Sequence, residues 1–212
     1  MTKRLGIFGG SFDPIHLGHI IPVKNIYEKY QLESVFFVPV NIPNSSKKIV
    51  ASADYRLQML KVSLSNYSNF KIDDREIKRG GISFSYETIL EISQNYSDHQ
   101  IFFIIGDDAL KNLHTWKQYK KIFEICNIIV TKRFEKNFSD YSALVINQYV
   151  KSHIKEHQTV FSDSSYGNII LENTPVINAA SKEIREKLMK NENVSNLVDK
   201  NLEAWLKKNK VY

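Results

Sequence analysis

The feature that most constrains this chain is a recurrence of short apolar runs separated by helix-length stretches. Leu5–Phe8, Ser34–Val40, Phe70–Asp73, Gln100–Ile105 and Asn127–Thr131 are each rich in Val, Ile or Phe. Runs without polar alternation read as strands buried on both faces. Helical stretches fall between them, at about 17–30, 52–66, 84–96 and 107–124, the last broken near Trp116. Strands alternating with helices of this length build βαβ units. The expected fold is therefore α/β: a Rossmann-like, doubly wound parallel sheet with helices on both faces. Beyond about residue 135 the pattern weakens. Asp140–His153 reads as an amphipathic helix, and Thr159–Phe161 and Asn168–Leu171 as short strands. Helices at about 181–190 and 198–208 form a small helical C-terminal portion. With no repeat, low-complexity tract or linker, residues 1–212 are expected to form a single domain.

Composition narrows the function classes. No apolar run approaches the roughly 20 residues that span a bilayer, and glycines and Asp13 interrupt the stretch a secretory signal would need. The only cysteine, Cys126, excludes an intrachain disulfide and a Cys-based zinc site. A reducing cytoplasm fits, and no membrane partner is expected. The net charge of +6 suits a polyanion. Much of the basic excess (Lys187, Lys190, Lys200, Lys207, Lys208, Lys210) is interleaved with Glu186, Glu192 and Glu203, as on a solvated face. No cluster of basic and aromatic residues marks a nucleic-acid-binding module. Monomer and homo-oligomer both remain open.

In an open parallel sheet, ligands bind at the carboxyl ends of the strands, where the strand order reverses. Gly9-Gly10-Ser11-Phe12-Asp13-Pro14-Ile15-His16-Leu17-Gly18-His19 lies between the first strand and the first helix. Its glycines let the backbone approach a ligand and turn with positive φ, and a helix N-terminus favours an anion such as phosphate. His16 and His19, three apart, project from one side of that turn. They are a plausible clamp for polyphosphate and a poor metal site, because a dipole N-terminus disfavours a cation and no third ligand is nearby. Neither GxGxxG nor GxxxxGK[ST] is present. An NAD-dependent oxidoreductase, which would also carry an acidic residue about twenty positions further on, is thereby disfavoured. Pro22 should kink the helix one turn beyond His19.

This string resembles the signature of the HxGH nucleotidyltransferase superfamily. The resemblance implies ATP binding by Gly9, Gly10, Ser11, Phe12 and Gly18, and catalysis by His16 and His19. Two further segments resemble the bacterial nicotinate mononucleotide adenylyltransferases of that superfamily. Arg79–Thr88 (RGGISFSYET) is similar to their RxGxSYTxDT segment. Ile104–Trp116 is similar to their IIGxDxLxxLxxW stretch, with Gly106 and Asp108 assigned to ATP. The resemblance implies that the pyridine ring stacks on Trp116 and that donors near Thr88, Ser85 and Tyr119 read its carboxylate. Packing between helices is the plainer role for Trp116, and helix capping for Asp108.

Ala180–Arg185 resembles the superfamily's SSTxIR motif, so Ser181, Lys182 and Arg185 are expected at the triphosphate, Arg185 as a catalytic group. Ala180 and Lys182 depart from that motif, trading two hydroxyls for a cation. Pro39–Lys48 is a weaker match to PxxxPPHK, in which Lys47 or Lys48 reaches phosphate. Arg133 is expected near ATP, and Arg56 in a structural position. The reaction implied is transfer of AMP from ATP, carried with Mg²⁺ and without metal-ligating protein side chains, to nicotinate mononucleotide. Nicotinamide mononucleotide and phosphopantetheine are the alternative acceptors.

Overall fold

A computed structural model describes residues 3–46, 48–131, 145–155 and 166–212. The apolar runs form strands, all parallel, in one seven-stranded sheet of order β4-β2-β1-β6-β7-β9-β8. The strands are β1 (Lys3–Gly10), β2 (Ser34–Pro39), β4 (Phe70–Ile72), β6 (His99–Gly106), β7 (Asn127–Thr131), β8 (Ile154–Lys155) and β9 (Ile169–Glu172). A separate two-stranded ladder pairs β3 (Ile42–Pro43) with β5 (Ile82–Ser83). The helices are α1 (Leu17–Lys29), α2 (Ala53–Leu64), α3 (Arg75–Arg79), α4 (Ser85–Asn95), α5 (Asp107–Asn112), α6 (Tyr119–Ile122), α7 (Gln148–Ser152), α8 (Ser181–Met189) and α9 (Lys200–Asn209). The expected break near Trp116 is a 3₁₀ turn, Leu113–Thr115, between α5 and α6.

Alternation along each strand divides the core. In β6, Phe102 and Ile104 join Phe8, Ile20, Val23, Met59, Ile184 and Leu202 on the face covered by α1, α2, α8 and α9. Ile101, Phe103 and Ile105 join Ile7, Ile89, Ile92, Leu110 and Val150 on the other face. Both faces are apolar because both are covered, as the unbroken runs require. Each fully buried large side chain contributes about 1.5–3 kcal/mol of transfer free energy.

Several expectations change in detail. Pro22 sits inside α1, which runs unbroken to Lys29. Residues 148–152 are helical, but the rest of the expected helix over 140–153 and the strand at 159–161 lie largely or wholly outside the described residues. The elements without a sequence signal (α3, β3, β5 and β8) span five residues or fewer, too few to show a period. Gly80 and Gly81 take φ of 72° and 66°, turning the chain from α3 into β5 where a side chain would be strained.

The chain crosses from β1 to β2 on one side and later returns to β6 on the other, so the order reverses at β1. The carboxyl ends of β1 and β6, at Gly10 and Gly106, open into the same cleft. No described helix is long and apolar enough to cross a membrane.

Candidate active site

The cleft has a volume of about 410 Å³. Four helices begin at its wall: α1 after His16, α4 after Phe84, α5 after Gly106 and α8 after Ala180. The positive dipole ends of these helices thus border one space, a setting for anions.

At one end lies the glycine–histidine segment. His16 and His19 stack with ring centroids 3.7 Å apart and planes 30° from parallel. The backbone N–H of His16 donates to His19 Nδ1 at 3.3 Å. A neutral His19 therefore carries its proton on Nε2, and a charged one does too, so Nε2 is a donor in either state. Phe12 and Phe8 pack their rings 5.4 Å and 6.0 Å from that of His19, fixing its plane. Gly18 is needed for closeness: a Cβ there would lie 3.0 Å from His16 Nδ1 and 3.2 Å from the Ile177 carbonyl. The expectation of positive φ at the motif's glycines is corrected. Gly9 and Gly10 remain in β1, and Phe12 takes the left-handed conformation, with φ 49°. Its ring is buried in the core, and that packing holds the conformation.

Asp13 locks this segment. Its buried carboxylate accepts from the amides of Val50 (2.8 Å) and Ala51 (3.0 Å) and from the Tyr212 hydroxyl (2.8 Å). Arg185 Nη1 lies 3.5 Å from the same carboxylate and donates to the Asp13 carbonyl at 2.6 Å. Arg56 is buried, as a structural arginine should be, and its Nη1 donates to the carbonyls of Ser11 (3.0 Å) and Val40 (2.7 Å). Burial pulls its pKa down and pushes that of Tyr212 up, in the latter case with help from Asp13. The Ser181 hydroxyl donates to the Pro14 carbonyl at 3.0 Å. The loop before α1 is thus held from three directions: α2, α8 and the C-terminal residue.

At the other end, Trp116 reaches the cleft from beyond the 3₁₀ turn, its ring 6.1 Å from Phe103 at 70°. Thr88, Ser85, Phe84 and Ser83 line the wall beside it. The buried Thr88 hydroxyl donates to Glu76 Oε1 at 2.5 Å. Burial raises the pKa of Glu76 against the opposing effect of that hydrogen bond. Lys117 also lines the cleft, with Nζ 4.2 Å over the Phe84 ring and 2.7 Å from Glu87 Oε1.

The cleft thus brings together Gly9, Gly10, Ser11, Phe12, His16, Gly18, His19, Ser85, Thr88, Gly106, Asp108, Trp116 and Ser181. Three expected residues stand elsewhere. Tyr119 packs against the core on the Ile7 face, its ring 5.9 Å from Tyr149. Lys182 is 81% exposed and lies 3.8 Å from Glu186. Arg185 faces the Asp13 segment. Lys47 and Arg133 lie outside the described residues. Sequence reasoning missed Glu76, Ser83, Phe84 and Lys117 as cleft residues, and assigned Asp13 no role. The one usable signal was an acidic residue inside the motif itself. No group of three or more His, Cys, Asp or Glu side chains suited to a metal occurs among the described residues.

Residues 7–187 match the cytidylyltransferase-like family model. The chain is 35% identical over 211 residues to a Clostridium acetobutylicum protein described as a "probable nicotinate-nucleotide adenylyltransferase", covering 99% of each. A protein of Shewanella frigidimarina with the same description is 30% identical over 99% of each chain. Among solved structures, the Plasmodium falciparum nicotinic acid mononucleotide adenylyltransferase complexed with NaAD superposes with a TM-score of 0.74 at 18% identity. That match covers 97% of this chain and 95% of the other and concerns the fold.

Proposed function

Since the chain belongs to the cytidylyltransferase-like family and, within it, to the nicotinate-nucleotide adenylyltransferases, we infer that the cleft over β1 and β6 is its catalytic centre. The enzyme transfers AMP from ATP to nicotinate mononucleotide, giving deamido-NAD and pyrophosphate in NAD biosynthesis. The observation that carries the assignment to this cleft is the stacked His16–His19 pair at the start of α1, facing the same space as Trp116 and Thr88.

On this reading the triphosphate of Mg²⁺-bound ATP lies between the N-termini of α1 and α8. The acceptor's 5′-phosphate oxygen attacks the α-phosphorus in line. The bond from that phosphorus to the α–β bridging oxygen breaks, and pyrophosphate leaves with the electron pair. A phosphate monoester has a second pKa near about 6 and is largely ionised at neutral pH, so the nucleophile needs no general base. Catalysis comes from positioning and from neutralising charge on the phosphates. The Nε2–H of His19 donates to a phosphate oxygen, and His16 holds that ring in plane. Ser181 and the first-turn amides of α8 cradle the leaving end. Arg185 acts as a positioning residue through Asp13, and Lys182 reaches phosphate only by leaving Glu186.

The pyridine ring stacks on Trp116, with the N-terminal turn of α4 as the donor surface for its carboxylate. The contact between Tyr212 and Asp13 favours reading residues 1–212 as one nucleotidyltransferase domain. A single, buried cysteine favours the cytoplasm. The test is incubation of the full chain with ATP, Mg²⁺ and nicotinate mononucleotide, following both products. Equimolar deamido-NAD and pyrophosphate, abolished together by filling the cleft through Gly18→Leu, support the reading. Product formation that survives Gly18→Leu places the chemistry elsewhere.

A further inference from the structure

Glu76 is a carboxyl group for which the adenylyl-transfer chemistry has no use. It comes from α3, is 5% exposed and lines the acceptor end of the cleft. Oε1 accepts the Thr88 hydroxyl, while Oε2 is sealed from water with no hydrogen-bond partner among the described residues. Ser83, whose hydroxyl accepts the Asn41 amide at 2.9 Å, faces the same carboxyl. A buried carboxylate that keeps its charge normally gathers two or three donors or a close cation. This one has the hydroxyls of Thr88 and, more weakly, Ser83, which do not outweigh its burial, with Arg79 and Asp73 supplying opposed fields. Lys117, the lysine lining the same cleft, is held by Glu87, which also lies 3.6 Å from Arg79.

The two pyridine nucleotides differ where such a group would be felt. Nicotinate carries a carboxylate; nicotinamide carries a neutral amide with two N–H donors. An ionised Glu76 repels the acid across a low-dielectric gap and tolerates the amide, and a neutral Glu76 removes the repulsion. We propose that Glu76 is a specificity-determining residue of the acceptor subsite, its protonation state deciding how well the ring's acid is accepted relative to its amide. This rests on the acceptor's placement between Trp116 and Thr88. The raised pKa of Glu76 is the direction that suits an acid-accepting site, because the neutral form persists to higher pH. Where free Glu76 is partly ionised, binding of the acid takes up a proton, and binding of the amide does not.

Calorimetric titration of the full chain in buffers of different ionisation enthalpy reads this without catalysis. Nicotinate mononucleotide and nicotinamide mononucleotide are titrated separately across neutral pH. Their phosphates ionise alike, so the difference in proton uptake isolates the ring substituent. The acid should take up as much as about one proton more than the amide. It should also bind progressively more weakly as pH rises. Glu76→Gln, neutral at every pH, should abolish the extra uptake and flatten the affinity of the acid with pH. Equal uptake for acid and amide, or extra uptake surviving in Glu76→Gln, overturns the proposal. If the variant does not fold, the acid–amide difference in the wild-type chain decides alone. If neither nucleotide binds, the acceptor reading falls and takes this inference with it.

Discussion

At the phosphate end of the cleft, most functional side chains come from one eleven-residue stretch, Gly9–His19, tied down by contacts to backbone. At the acceptor end, the side chains come from three separate segments, Glu76 from α3, Thr88 from α4 and the adjacent Trp116 and Lys117 from beyond the 3₁₀ turn, and the described bonds of Glu76 and Lys117 run between side chains. The difference is one of mechanism. A phosphate chain is common to every nucleotide, and a rigid backbone cradle serves it without choosing. An acceptor must be chosen, and choice resides in side chains that substitution can change one at a time. The first end should respond to mutation mainly in kcat or stability, the second in KM for one substrate.

The sharpest way to break this contrast is at Asp13. Asp13→Ala strips the partner from two backbone amides, Arg185 and Tyr212. It should cost about 3–5 kcal/mol, the range for removing one member of a buried pair, and lower Tm by about 10 °C. A change below about 1 kcal/mol in denaturant unfolding would deny the segment its lock. Next, His19→Ala should lower kcat by on the order of 10²-fold or more, the scale for one lost transition-state donor, with the melting curve little moved. An unchanged kcat removes His19 from the chemistry.

At the acceptor end, Trp116→Ala should raise KM for nicotinate mononucleotide by about tenfold, as loss of a stacking partner predicts, and leave KM for ATP in place. Initial rates over a grid of both substrates read this directly. Equal movement of the two constants would merge the two ends. Tyr212→Phe removes one donor from Asp13 and should cost about 1 kcal/mol, seen as a Tm shift of about 2–4 °C. The smallest effect is expected at Lys182, 81% exposed beside Glu186. Lys182→Ala should change KM for ATP by less than about fivefold; a larger rise would show the side chain swinging onto phosphate.

The same contrast explains what could be read from residues alone. The seven-stranded sheet was legible for the most part because its longer strands are apolar on both faces, and the phosphate end because its residues are contiguous. Trp116, Thr88 and Ser85 were found through segments resembling a family. Glu76 was not, because α3 has five residues and no period, and nothing in its neighbours in sequence says that Thr88 will stand 2.5 Å away. The packing of the Tyr119 ring was hidden for a similar reason. Gln118 adopts a left-handed conformation before α6, and Tyr119 turns into the core while Lys117 takes the rim. A single backbone reversal of this kind is invisible to spacing arguments.

The central claim, that one cleft joins a general phosphate cradle to a selective acceptor pocket, is met most directly by one comparison. Pyrophosphate release from Mg²⁺–ATP is followed with nicotinate mononucleotide, nicotinamide mononucleotide and phosphopantetheine in parallel. Release that is fastest with the nicotinate nucleotide and absent with phosphopantetheine is the predicted result. Release with phosphopantetheine alone would keep the histidine chemistry and contradict the assignment of Trp116, Thr88 and Glu76 to a pyridine acceptor.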